Sequence, residues 1–167
     1  MHLNFDEPQP QDYRPCVGVA VFNADGDVCL GKRFGETGPH VWQMPQGGID
    51  EGEEPRDAAL RELFEETGIT EDMVTSLGAV DDWLYYDFPP EYKLKKGRHW
   101  LGQRQRWFAY RFDGDETKID LKAHGPQEFS EWKWHPLTDT PNLIVPFKRD
   151  VYVRLAAEFE GFAKPAN

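Results

Sequence analysis

Apolar positions along the chain fall into short runs separated by turn residues, with two longer stretches of helical period. Cys16 to Phe22 (CVGVAVF) is continuously apolar and predicts a strand; Asn23 to Asp27 make a turn, and Val28 to Arg33 can return as an antiparallel neighbour. The loop FGETGPH precedes a short apolar run, Val41 to Met44, which Pro45 closes. From Pro55 to about Thr67 the spacing becomes helical, with proline suited to the first turn and Gly68 to the end. Projection at about 100° per residue groups Leu60, Leu63 and Phe64 on a packing face and Glu62, Glu65 and Glu66 on a charged one. Further strands are expected near Val74 to Val80, Trp83 to Phe88, Arg104 to Phe112 and Phe129 to His135. A last helix, Pro146 to Phe159, shows apolar recurrence at Phe147, Val151, Leu155 and Phe159.

Regular alternation of strand and helix is missing, so the pattern predicts a compact α/β sandwich on a mixed sheet. With 167 residues one domain suffices: a tail over 1–12, a domain over 13–160 and a tail over 161–167. A composition of 39% hydrophobic and 14% aromatic residues argues against disorder. The formal net charge of -11 opposes indiscriminate attraction to nucleic acid or anionic membranes, although it constrains only the average field. The stretch MHLNFDEPQPQD carries no apolar signal region and no segment approaches a membrane span, so a cytoplasmic protein without membrane partners is expected. Cys16 and Cys29 sit in apolar runs where buried free thiols are ordinary.

Charge concentrates in GGIDEGEEPRDAALRELFEETGI, Gly47 to Ile69. Glu62, Glu65 and Glu66 lie three and four residues apart, so a helix gathers like charges that repel unless a cation compensates. Carboxylate oxygens suit Mg²⁺, or Mn²⁺, with phosphate oxygens completing the shell. Gly47, Gly48 and Gly52 allow a tight loop whose carbonyls can approach a metal; Glu53 can anchor that loop, and Arg61 can orient Glu65 across one helical turn. A plain acidic solvated face is the competing reading of the charge pattern. A calcium loop is not, because DEGEEP lacks the alternating ligands.

The same stretch resembles the signature of the Nudix hydrolases: Gly47, Glu53, Arg61, Glu62, Leu63, Glu65, Glu66, Gly68 and Ile69 meet every fixed class of that box. The resemblance implies an α/β/α sandwich with a mixed central sheet, and hydrolysis of a phosphoanhydride at a loop–helix–loop metal site. Outside the box, YRPCVGVAVFN, KRFG, WQMPQGGID, GQRQRWFAYRF, PQEFSEWKW and PFKRDVY are similar to the branch acting on RNA 5' ends and dinucleoside polyphosphates. That likeness assigns metal binding to Glu62, Glu65, Glu66, Glu128 and the Gly47 carbonyl, leaving open whether Glu62 or Glu128 is the base. It places Arg33 and Phe147 on either side of a base, with Arg14 and Lys148 on phosphates; residue by residue, surface solvation of Arg33 and ordinary helix packing of Phe147 are the alternatives. Lys93, Lys95, Lys96 and Arg98 form a local basic loop, with Arg104 and Arg106 near Trp107 and Phe108. His99 and His135 are candidate bases by residue type, but they stand outside any clear motif and read as structural or surface residues.

Removal of pyrophosphate or phosphate from triphosphorylated RNA is the first functional expectation. Cleavage of diadenosine tetraphosphate to ATP and AMP, alone or as a dual activity, is the second, and a noncatalytic RNA- or nucleotide-binding module the third. The oligomeric state and any accessory activator are left open.

Overall fold

The computed structural model describes residues 8–95 and 100–166, with residues 93–95 as backbone only. The eight strands are β1 (Tyr13–Phe22), β2 (Val28–Arg33), β3 (Trp42–Gln43), β4 (Gln46–Gly48), β5 (Val74–Ala79), β6 (Leu84–Asp87), β7 (Gly102–Phe112) and β8 (Phe129–His135). The α-helices are α1 (Pro55–Thr67), α2 (Pro90–Lys95) and α3 (Arg149–Glu158). Strand order is β3-β2-β1-β7-β5, with β4 pairing β1, β6 pairing β7 and β8 pairing β2. Among the described residues only β1 and β7 run parallel, in register from Tyr13↔Gly102 to Phe22↔Arg111.

One sheet face packs on α1: Val17, Val19 and Val21 of β1 meet Ala58, Ala59 and Leu63. The other face packs on α3, where Ala20, Phe22, Leu30 and Trp107 meet Val151, Tyr152 and Leu155. Because β1 is covered on both faces it reads as a continuous apolar run rather than an alternating one. The resulting α/β/α sandwich is the expected architecture.

Several expectations change. The β1–β2 hairpin is confined to its turn, with Phe22↔Val28 the paired position, after which β2 runs beside β8. Strand β4 and helix α2 carry no apolar periodicity and were not expected. The last helix begins at Arg149, preceded by a 3₁₀ turn at Pro146–Lys148. The C-terminal stretch does not hang free: Phe162 packs on Phe22 and Phe159, and Ala166 N–H donates to the Ala24 carbonyl at 2.8 Å.

Helix α1 has the expected bounds but a different buried face. Leu63, Glu66 and Thr67 are buried, whereas Phe64 is 36% exposed and lies against His124. Leu63 and Glu66 are about 60° apart around the axis at the helical period, so whatever buries one draws in the other. Grouping Phe64 with Leu63 by apolarity alone therefore places the face wrongly.

Candidate active site

Arg61, on the second turn of α1, organises the acidic segment. Its Nε and Nη2 meet the two oxygens of Glu53, each at 2.9 Å, in a bidentate pair. Its Nη1 reaches Glu62 at 3.0 Å and Glu65 at 3.2 Å, and Nη2 also donates to the Gly48 carbonyl at 2.9 Å. One guanidinium thus ties the loop before the helix to two of the helix carboxylates. The hydrogen bonds from Arg61 hold the Glu53 carboxyl below its ordinary range. Glu53 also accepts from Asp50 N–H at 3.0 Å, closing a turn that contains Gly52 in the left-handed region.

Glu66 is only 4% exposed, and its Oε2 accepts from the Gln46 backbone N–H at 2.9 Å. Burial, reinforced by the charge of Glu62, pushes its carboxyl well above the usual range. Burial also raises Glu62, against the opposing pull of Arg61. Gly47 is required by close approach: a Cβ there would lie 2.1 Å from Glu62 Cδ. Gly48 likewise leaves room for the Arg14 guanidinium.

Glu62, Glu65, Glu66 and Glu128, with His124 and Pro126, line a pocket of about 130 Å³. Among the described residues no three His, Cys, Asp or Glu side chains come together as a metal-holding group. The expected ligand set is therefore adjacent but not converged, because Arg61 occupies oxygens of Glu62 and Glu65 while Gln46 N–H occupies one of Glu66. The donor set nevertheless fits a hard divalent cation. It consists of carboxylate oxygens, two of its members are raised by burial, and buried Glu66 is answered by a peptide N–H rather than a cationic side chain.

Glu128, exposed on the segment entering β8, lines this pocket and also a larger cavity of about 560 Å³. That cavity gathers Arg14 from β1, Arg33 from β2, Tyr86 from β6, and Phe147 and Lys148 from the turn before α3. Arg33 Nη2 donates to the His40 carbonyl at 3.2 Å. Phe147 packs on Tyr86, Phe88 and Tyr92 at centroid distances of 5.7, 6.4 and 5.8 Å, and Lys148 Nζ lies 5.4 Å from the centre of the Tyr86 ring. Three buried polar atoms on residues of this wall, Arg33 Nε, Gln43 Oε1 and Tyr86 Oη, lack a hydrogen-bond partner among the described residues. Such atoms suit a cavity built for a polar ligand.

Gln43, Gln46, Tyr86, Gln103 and His124 were not singled out from sequence. Gln43 and Gln46 lie in WQMPQGGID and the neighbouring glycines could have drawn notice to them; Tyr86 and Gln103 read as ordinary strand residues. Arg104 and Arg106 are not in the cavity wall: their guanidiniums sit 4.2 and 5.6 Å from the centre of the Trp83 ring, rather than beside Trp107 and Phe108. His135 pairs with Asp139 at 3.2 Å, outside the acidic pocket. Of the basic loop, Lys96, Arg98 and His99 lie outside the described residues, as do the side chains of Lys93 and Lys95 and residues 1–7 of the expected tail. Cys16 and Cys29 are free and buried, their thiols pushed up by burial to about 11 and about 12.

The sequence profile of the NUDIX domain matches residues 12–155. An RNA pyrophosphohydrolase of Caulobacter vibrioides is 53% identical over 161 residues, covering 95% of this chain and 91% of that protein. One from Azorhizobium caulinodans is 52% identical over 163 residues, covering 90% and 94%. Among solved structures, a C. elegans Ap4A hydrolase superposes with a TM-score of 0.63 at 21% identity, covering 89% of this chain and 98% of that one. The E. coli dihydroneopterin triphosphate pyrophosphohydrolase gives 0.65 at 18% identity, covering 87% and 98%. At those identities the two structures speak for the fold alone.

Proposed function

The chain belongs to the Nudix family, and from that premise we propose that it is an RNA pyrophosphohydrolase that converts 5'-triphosphorylated RNA ends to 5'-monophosphates. The observation that carries the reading is the shared wall at Glu128: the acidic pocket opens beside a cavity holding Arg14, Arg33 and Lys148 together with aromatic rings. Phosphates and a base need those two surfaces side by side. Relatives about half identical over nearly the whole chain bear the same activity in their names.

In this reading Glu62, Glu65, Glu66 and Glu128, with the Gly47 carbonyl, hold a divalent cation, for which Mg²⁺ is the natural choice and Mn²⁺ an acceptable one. When bound there, such a cation would neutralise the carboxylates and polarise the phosphate chain. Arg14 and Lys148 neutralise phosphate oxygens, while Arg33 and Phe147 offer a guanidinium plane and an aromatic ring to a base. Water attacks phosphorus and gives its proton to a glutamate carboxylate, Glu128 or Glu62. The anhydride P–O bond breaks, its electron pair leaving with the departing pyrophosphate or phosphate. Arg61 keeps the loop and helix carboxylates in register while charge builds.

We further propose a cytoplasmic setting, with which the two free buried thiols are compatible. Among the described residues no helix is long and apolar enough to cross a membrane. The test is a paired assay on triphosphorylated RNA and diadenosine tetraphosphate at equal Mg²⁺. Efficient RNA conversion is expected; negligible RNA turnover beside rapid dinucleotide cleavage would replace this reading with the dinucleotide one.

A further inference from the structure

A buried string of polar side chains runs beneath the larger cavity. Trp107 Nε1–H donates to Gln105 Oε1 at 2.9 Å. Gln105 Nε2 in turn donates to Gln103 Oε1 at 3.0 Å and to Gln46 Oε1 at 3.3 Å. Trp107, Gln105 and Gln103 are buried, and they lie on the sheet face that otherwise packs apolar side chains against α3. Two amides are costly there unless their hydrogen bonds serve a purpose. The Trp107 ring reaches this position because Gly18 opposite it lacks a side chain: a Cβ would meet the indole at 2.4 Å.

The direction of the string follows from its first member. An indole N–H donates and never accepts, so the Gln105 amide must turn its oxygen toward Trp107 and its NH₂ group away. Each amide receiving that NH₂ group must offer its own oxygen, leaving its own NH₂ as the free end. Those ends belong to Gln46 and Gln103, whose side chains line the cavity and whose NH₂ groups have no hydrogen-bond partner among the described residues. A network serving only the core would close on itself; this one ends in two spare donors facing the ligand space.

We propose that Trp107 and Gln105 are positioning residues that lock the amides of Gln46 and Gln103 with their NH₂ groups toward the cavity, making its floor a donor surface for phosphate oxygens. The inference rests on the RNA 5'-end reading for the identity of the ligand. Phosphate oxygens at neutral pH accept and do not donate, so an amide turned the other way would meet them oxygen to oxygen. Gln46 also connects this floor to the acidic pocket, since its backbone N–H is the one that holds Glu66.

Gln105→Glu separates positioning from packing because it keeps the shape. When ionised the new carboxylate can only accept, so the neighbouring amides reverse and present oxygen to the substrate; when protonated its single O–H restores the parent orientation at one of the two amides. With triphosphorylated RNA at about pH 8.5, KM is expected to rise roughly tenfold over the parent protein with kcat little changed, the difference narrowing as the pH is lowered. A defect of constant size across pH, or one confined to kcat, overturns the proposal. Should that variant fail to fold, NMR of the parent protein decides. On addition of inorganic pyrophosphate with Mg²⁺, the side-chain NH₂ signals of both Gln46 and Gln103, assigned by their loss in Gln46→Met and Gln103→Met, should shift. Pyrophosphate binding that moves neither signal overturns it as well. Failure of the parent protein to turn over RNA, with those NH₂ signals still responding to pyrophosphate, would remove the RNA reading and leave the donor floor standing.

Discussion

The backbone N–H of Gln46 donates to the buried carboxylate of Glu66 across 2.9 Å, joining the edge of the sheet to the end of the acidic helix. That single bond opposes the burial that drives the Glu66 carboxyl well above its ordinary value.

A pH signature follows for metal-free protein. Because the folded-state value is raised above the unfolded one, near 4.5, stability from this group is fully present below the unfolded value and lost as pH rises through the folded one. Glu66→Gln carries no such loss. In chelator, the Tm of the variant minus that of the parent should grow as pH is raised from the unfolded value, then level off. Mg²⁺ should narrow the gap by stabilising the parent. A difference that stays flat over that range would show that Glu66 is not buried in its charged form.

Gly47→Ala places a methyl group where the Glu62 carboxylate now lies. The helix and sheet should survive, since Gly47 has no positive φ to protect. Displacement of Glu62 should lower kcat by roughly one to two orders of magnitude, as misplacements of about 1 Å do. Steady-state kinetics beside circular dichroism checks both halves; full activity would detach Glu62 from the chemistry.

Arg61→Lys keeps a positive charge but cannot reproduce the two-pronged contact with Glu53 while reaching Glu62, Glu65 and the Gly48 carbonyl. Discounted for partial exposure, the loss of stability is expected to be about 1–2 kcal/mol in urea unfolding. Turnover should fall much further than KM changes. Arg154→Ala, which removes exposed pairs with Asp82 and Glu158, should leave turnover as it was.

Phe147→Ala should raise KM for triphosphorylated RNA by roughly tenfold, the scale of one stacked base. Phe64→Ala removes a ring of the same size from the exposed side of α1 and should change KM little. Equal KM values for the two variants would return Phe147 to plain packing against Tyr86, Phe88 and Tyr92.

The bounds of α1 were legible because Pro55 and Gly68 mark its ends, and the main strands because their apolar runs are interrupted by turns. Strand β4 was not, since two of its three residues are glycines kept small by Glu62 and Arg14 rather than chosen for β-propensity. Exchanging the fates of Phe64 and Glu66 shows the same limit: hydrophobicity ranks them one way, a peptide N–H waiting at Gln46 ranks them the other. The acidic helix face could be read from spacing, but the cavity could not. Its walls come from β1, β2, β3, β4, β6, α2, β7 and the turn before α3, and only folding puts them together.

The parallel pairing of β1 with β7 joins segments about 90 residues apart, and β4, α1 and the acidic loop all lie in the chain between them. On the ribosome, where synthesis proceeds from the N-terminus, β1 must wait for β7 to emerge before the sheet beneath Gln46 is complete. Until then the carboxylates of α1 have no backbone partner on β4 braced against a finished sheet. Assembly of the chemistry is thereby tied to a late, long-range step in chain folding, so a nascent fragment ending before β7 should carry the whole acidic signature and still be inert.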